Sequence, residues 1–133
     1  MLKKTIAFII FLGFSQVYAS DSSEAETTKE IWTALMLKAI PEKFCAPKMY
    51  FSSCFRLSNK DCKYFVLHSE QMCIDRYNSD IPKILNRRIG MKWGGIIGHC
   101  TGALFDVALT KGNKKINNEK CSDIKYWNET NKK

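Results

Sequence analysis

A histidine beside a cysteine, His99–Cys100, is the pair whose residue types come closest to a reactive site. A cysteine thiolate activated by a histidine base is the nucleophile of thiol proteases. Adjacent residues on a helix point about 100° apart, so His99 could not easily act as a base for the neighbouring thiol. The thiol is also expected to be oxidised, since the chain carries an export signal and an even number of cysteines. We therefore expect no nucleophilic catalysis at this pair.

Other catalytic signatures are missing from the sequence. It contains no G-x-S-x-G elbow, no H-E-x-x-H motif and no glycine-rich phosphate loop. The carboxylates are scattered, and we interpret them as helix caps and solvated surface. They are Glu42, Asp61, Glu70, Asp75, Asp80 and Asp106. Paired carboxylates of the glycosidase kind leave no linear motif, so a small hydrolase stays open as an alternative. We expect a non-enzymatic protein without a cofactor.

Basic residues form two clusters in a chain whose formal net charge is +8. One lies in IPKILNRRIGMK, and the other begins in TKGNKK and continues into the tail. The residues predicted to bind an anionic partner are Lys83, Arg87, Arg88, Lys92, Lys111, Lys114 and Lys115. Arg87 and Arg88 are the strongest candidates, because a guanidinium group binds phosphate through two parallel hydrogen bonds. A solvated surface without a partner is the simpler alternative.

Clusters of this kind attract acidic partners. Anionic lipid headgroups such as phosphoinositides, an acidic protein and an anionic polysaccharide all fit. Nucleic acid is not expected, because the chain is exported and its basic residues are not interleaved with aromatic ones.

The start of the chain has the pattern of a secretory signal peptide. Lys3 and Lys4 precede the apolar run TIAFIIFLGF, and the small residues Val17 and Ala19 suit a signal peptidase. The run is too short to predict a membrane span. We expect residues 1–19 to be removed and residues 20–133 to form one domain with a frayed acidic N-terminus and a basic C-terminal tail. Its location would be periplasmic or extracellular.

All six cysteines follow the signal peptide, which predicts three disulfides. No metal site is expected, since there is no C-x-x-C pair and only His68 and His99 could add imidazole ligands. A hairpin turning at Ser58-Asn59 would bring opposite cysteines together, and a second turn lies in TKGNKK. The predicted pairs are Cys45–Cys73, Cys54–Cys62 and Cys100–Cys121. Other pairings stay open.

The helix signals predict an all-α fold, a small bundle of four or five helices stapled by three disulfides. A capping box at Thr27–Glu30 starts a first helix, and Pro41 is expected to end it. Ser58 caps a helix from Asn59 to Tyr77. A further helix is predicted from Ser79-Asp80 to Gly90, and the last from the segment that starts at Lys92 to Gly112.

The last helix, KWGGIIGHCTGALFDVAL, carries glycines four residues apart, namely Gly94, Gly98 and Gly102. This spacing puts them on one face, where they would let another helix approach. A membrane span is not expected, since the segment is short and contains His99 and Asp106, which are costly in hydrocarbon. We interpret it as a core helix.

The pattern FC…SSCF…C…C together with WGGIIGHCTG resembles small cysteine-containing exported proteins of Gram-negative bacteria. GHCTGALFDVAL is similar to a glycine–cysteine helix in immunity proteins of type VI secretion systems. The first resemblance implies a periplasmic or secreted helical binder. We therefore expect a secreted binding module that engages an anionic partner. The alternative is a periplasmic inhibitor or immunity protein that blocks another protein's active site.

Overall fold

The computed structural model describes residues 25–130, so the expected signal peptide lies outside the described residues. Six helices and one pair of two-residue strands make up this part of the chain, where four or five helices were expected. In order they are β1 (Thr27–Thr28), α1 (Lys29–Phe44), α2 (Tyr50–Cys54), α3 (Asn59–Tyr77), β2 (Ile84–Leu85), α4 (Arg87–Lys111), α5 (Glu119–Ser122) and α6 (Ile124–Thr130). The prediction of a small all-α protein with three disulfides is confirmed.

Helix α1 begins where the sequence predicted and ends later. The Thr28 hydroxyl accepts a hydrogen bond from the backbone N–H of Ile31, which caps the helix. The prediction that Pro41 ends α1 was wrong. Proline lacks an N–H but keeps its carbonyl. The carbonyl of Pro41 accepts a hydrogen bond from the N–H of Cys45, so the proline lies inside the last turn.

Helix α3 lies at the centre of the bundle and has the predicted bounds, with Ser58 as its cap. It packs against α1 on one side and α4 on the other. The ion pair between Lys63 and Glu42 and the bond from the Lys29 ammonium to Asn78 show that α1 and α3 run antiparallel.

Helix α4 replaces two predicted elements, because no helix forms from Ser79-Asp80 to Gly90. Instead, β2 pairs with β1 in an antiparallel ladder, and the Asn86 side chain caps α4. The helix then continues through Gly90. A Cβ atom at this position would lie 3.2 Å from the Trp32 indole nitrogen, so the glycine serves a close approach to α1 and does not stop the helix.

The disulfides are Cys45–Cys62, Cys54–Cys121 and Cys73–Cys100. The predicted pairs Cys45–Cys73, Cys54–Cys62 and Cys100–Cys121 were therefore wrong. The prediction assumed that residues 47–57 run alongside α3 as the second arm of a hairpin. In the structure this segment forms α2, which contacts α5, so Cys54 meets a cysteine near the end of the chain.

Two of the three glycines predicted as a packing stripe, Gly94 and Gly102, face α1 at ordinary contact distances. A Cβ atom at Gly94 would lie 3.5 Å from the Met36 sulfur, and one at Gly102 would lie 3.5 Å from the Phe44 ring. At Gly98 it would meet nothing within 4 Å. Within residues 25–130, no helix combines the length and the apolar character that crossing a membrane requires.

Candidate functional site

Four of the predicted basic residues gather where α4 begins, and we call Lys83, Arg87, Arg88 and Lys92 the α4 N-terminal cluster. All four are exposed. None of them has an ion pair or a side-chain hydrogen bond with another residue in the described part of the chain. Their charges therefore face solvent without a carboxylate in direct contact within the described residues.

The position of the two arginines on α4 adds to this positive charge. A helix N-terminus carries partial positive charge and ordinarily favours acidic residues. The first turn of α4 has none, and Arg87 and Arg88 are its first two residues. An anion bound at this end would interact with the helix dipole as well as with two guanidinium groups.

One acidic residue lies close to the cluster. Glu30, in the first turn of α1, feels the charge of Lys83, and the N–H of Lys29 donates a hydrogen bond to the Lys83 carbonyl. The pKa of Glu30 is lowered mainly by a backbone hydrogen bond and, to a smaller extent, by the Thr28 hydroxyl. The nearby lysines lower it less. Glu30 therefore offsets part of the charge at the Lys83 edge of the cluster.

The remaining predicted residues lie at the opposite end of α4. Lys111 and Lys114 are exposed, and Lys115 is half-buried. Helix α4 contains 25 residues, which corresponds to a length of about 37 Å. The seven predicted residues therefore lie in two basic regions, one at each end of α4.

A cavity of about 630 Å³ opens beside the second basic region. Its wall contains aromatic and aliphatic side chains from α1, α2 and α6, with polar groups at intervals. The lining residues are Lys43, Phe44, Met49, Tyr50, Phe51, Asp106, Lys115, Cys121, Ser122, Ile124, Trp127 and Asn128. Cavities of this size and mixed character are typical of small-molecule sites.

Tyr50 joins the polar and aromatic parts of the cavity wall. Its hydroxyl donates a hydrogen bond of 2.9 Å to the Asp106 carboxylate. Its ring packs edge-on against Trp127, and the Lys115 ammonium lies 5.9 Å from the ring centroid. Burial raises the pKa of the Tyr50 hydroxyl, and the bond to Asp106 raises it further. The hydroxyl is therefore held as a neutral hydrogen-bond donor.

The outer wall of the cavity is fixed to the rest of the protein by covalent and backbone bonds. The Cys54–Cys121 disulfide attaches α5 to α2. Residues 114–116 are held against residues 54–56 by two backbone hydrogen bonds, from the Arg56 N–H to the Lys114 carbonyl and from the Ile116 N–H to the Cys54 carbonyl. These bonds place Lys115 at the cavity rather than in a free tail.

The sequence did not predict this cavity, because its residues come from segments far apart in the chain. Asp106 was interpreted as a helix cap or solvated surface, and that was wrong, since it is half-buried and bonded to Tyr50. A single carboxylate in the apolar run ALFDVAL was the one available signal. Glu70 was also wrongly assigned to the solvated surface, since it is fully buried.

The histidine–cysteine pair has no reactive thiol. Cys100 is bonded to Cys73, and no cysteine is free in the described residues. His99 is exposed. Among residues 25–130, no group of three or more metal-binding side chains comes together.

Comparison with known proteins places the chain in a family of secreted proteins. A family model described as "T2SS substrate NttA" matches residues 26–113, which is more than half of the chain. The match includes the α4 N-terminal cluster and ends before Lys115 and the outer cavity wall. No curated protein and no solved structure matches the chain. The family and the disulfides identify an exported protein, and the likeness to immunity proteins finds no support.

Proposed function

We propose that this chain, which belongs to the NttA family of type II secretion substrates, is a non-enzymatic binding module that engages an anionic partner outside the cell. A substrate of a secretion system is expected to act beyond the periplasm. The binding surface in this proposal is the α4 N-terminal cluster.

The observation that carries the proposal is the group of four exposed cations at the start of α4, none of which forms an ion pair or a side-chain hydrogen bond within the described residues. Placing two arginines in the first turn opposes the helix dipole and brings no compensating contact inside the protein. An external anion would provide that compensation, because it would be bound by guanidinium groups and attracted by the helix end.

Among anionic partners, an acidic lipid surface fits the exposed side of α4 best. The only carboxylate in α4 belongs to Asp106, and it is bonded to Tyr50. The exposed residues between the two basic ends include Gly95, His99 and Ala103, none of which is acidic. A negatively charged membrane could therefore approach this side of α4 without meeting a carboxylate of the helix itself. An acidic protein or polysaccharide remains a possible result of the test.

Flotation with liposomes tests this proposal. Oxidised mature protein is mixed with neutral vesicles or with vesicles that contain phosphatidylserine or a phosphoinositide, at low and moderate salt. We expect the protein to float only with the anionic vesicles and to be released as salt rises. Absence of binding at low salt would reject the lipid surface, and heparin and acidic proteins would then be tested in the same buffer.

A matched pair of double variants locates the surface. Each basic residue near an anionic membrane contributes about 1 kcal/mol, so Arg87→Ser with Arg88→Ser should weaken binding roughly thirty-fold. Lys111→Ser with Lys114→Ser removes the same charge at the other end of α4 and should weaken it much less. Equal losses would show that net charge, and not the α4 N-terminal cluster, is responsible.

The alternative of a periplasmic inhibitor or immunity protein makes a different prediction. A complex that blocks an active site should be tight and resistant to salt. No specific feature of the described residues favours this alternative, so we do not propose it.

A further inference from the structure

The cavity beside Tyr50 is a separate candidate site, because it lies near the opposite end of α4 from the α4 N-terminal cluster. It is lined by Lys115 near the C-terminal end of α4, whereas Arg87 begins the helix. Its volume of about 630 Å³ is sufficient for a small organic molecule. The apolar part of the wall includes Phe44, Met49 and Ile124. The body of a ligand would therefore be apolar.

The charged residues around the cavity indicate the sign of the charge that a ligand would carry. Lys43 is exposed and has no ion pair or hydrogen bond among the described residues. Lys115 has no ion pair there, and its ammonium lies over the face of the Tyr50 ring. Among the described residues, two lysines thus line the cavity against one carboxylate, that of Asp106, which already accepts a hydrogen bond from Tyr50.

A cationic ligand fits these observations less well. Aromatic rings beside a carboxylate can bind quaternary ammonium groups. In this cavity, however, the Lys115 ammonium already lies over the Tyr50 ring. A cationic ligand would have to displace Lys115 and would be repelled by Lys43. An anionic ligand would be attracted by both lysines, and the Tyr50–Asp106 hydrogen bond would stay in place.

We propose that the cavity binds a small amphipathic anion, with its apolar body against Phe44, Met49 and Tyr50 and its acidic group beside Lys43 and Lys115. A fatty acid and an aromatic acid share this chemistry. The site is independent of the α4 N-terminal cluster, and binding here does not require a membrane.

The probe for the test is 8-anilinonaphthalene-1-sulfonate, which combines aromatic rings with one anionic group and fluoresces in apolar surroundings. Oxidised mature protein is titrated with the probe, and we expect one saturable site. Decanoate should displace it, whereas decyltrimethylammonium, which has the same chain and the opposite charge, should not. 1-Naphthoate replaces the chain by rings and shows which apolar body fits better. Displacement by the ammonium compound alone would overturn the proposal.

Removing a positive charge from the cavity should weaken probe binding, and removing the negative charge should strengthen it. Lys43→Met and Lys115→Met should each weaken probe binding roughly two- to five-fold, the effect of one partly exposed charge pair. Lys115→Arg should retain binding. Asp106→Asn keeps an acceptor for Tyr50 and removes the repelling charge, so it should tighten binding by a similar factor. Unchanged affinity in both methionine variants, or weaker binding in the Asn variant, would overturn the assignment.

Two controls separate this site from the proposed function. Lys111→Met removes a nearby charge that does not line the cavity and should leave probe affinity unchanged. Arg87→Ser with Arg88→Ser should also leave it unchanged, whatever that variant does to liposome binding. Loss of probe affinity in the arginine variant would mean that the two regions are one site and would reject the separate cavity.

Discussion

Glu70 is the residue whose chemistry is least matched by its surroundings. Its side chain is fully buried on α3, and neither carboxylate oxygen has a hydrogen-bond partner among the described residues. The hydroxyl of Thr101 on α4 is buried in the same way. Burial raises the pKa of Glu70 to about 8. The residue therefore keeps its proton in the folded protein at neutral pH.

This shift makes folding stability depend on pH. The ordinary pKa of the carboxyl is 4.5, and its folded value is about 8. Between these values the folded state holds a proton that the unfolded state has lost, so stability should fall as pH rises. The slope from this residue is up to about 1.4 kcal/mol per pH unit. Below pH 4.5 its contribution is fully present, and above about pH 8 it is lost.

Glu70→Gln should abolish this slope, because the amide does not ionise. We expect the urea-unfolding free energy of the natural protein to fall from pH 5 to pH 8 and that of the variant to change much less. Parallel pH profiles for the two proteins would show that Glu70 is not the titrating group.

Tyr50 provides a second residue-scale prediction. Tyr50→Phe removes the hydrogen bond to the half-buried Asp106, and a bond to a charged group contributes about 1.5–3 kcal/mol. We expect a loss of that size in the free energy of unfolding. Tyr64→Phe is the matched control, because Tyr64 is 67% exposed and its hydroxyl has no partner in the described residues. If both variants lose the same stability, the Tyr50–Asp106 bond is not the cause.

Among the elements, the sequence predicted α3 well and α4 poorly. The bounds of α3 follow from a local cap at Ser58 and a regular apolar stripe, which are both visible in the sequence. The course of residues 79–90 depends on contacts with α1, since β2 pairs with β1 and Gly90 lies against Trp32. Local signals therefore predicted that a helix ends at Gly90, whereas in the structure α4 continues through Gly90 because of its packing against α1.

Gly90 and Gly95 provide a matched test of this explanation. A Cβ atom at Gly95 would meet nothing within 4 Å, whereas at Gly90 it would lie 3.2 Å from Trp32. Gly95→Ala should stabilise the protein by up to about 1 kcal/mol through helix propensity. Gly90→Ala should gain less or lose stability, because the indole must move. Thermal unfolding measures both, and an equal gain would show that the Trp32 contact imposes no constraint.

For the whole molecule, the disulfide pairing and the cavity share one reason for not being predictable. Both the pairing and the cavity depend on which segments of the chain pack against each face of a helix. Cys62 and Cys73 belong to the same helix, but one is bonded to the end of α1 and the other to α4. Spacing along the chain predicts how far apart two cysteines lie on α3, and it does not predict which neighbour each one faces.

The Cys54–Cys121 disulfide should support both stability and the cavity. Its cysteines are 67 residues apart, for which loop-closure entropy predicts about 4 kcal/mol of stabilisation. Replacing both with serine should cost about that much and weaken probe binding. Replacing Cys45 and Cys62, which are 17 apart, should cost about 3 kcal/mol with less effect on the probe. Unweakened probe binding without Cys54–Cys121 would show that the outer wall holds by itself.

The same pairing determines when an exported chain can become mature. Leaving the membrane N-terminus first, the chain exposes Cys45 and then Cys54, which are not partners in the folded protein. An oxidant acting in order of emergence would join them wrongly, and thiol exchange would have to undo that bond. Cys54 cannot find its partner until Cys121 has emerged. Maturation should therefore depend on a disulfide isomerase and finish only after translocation is nearly complete.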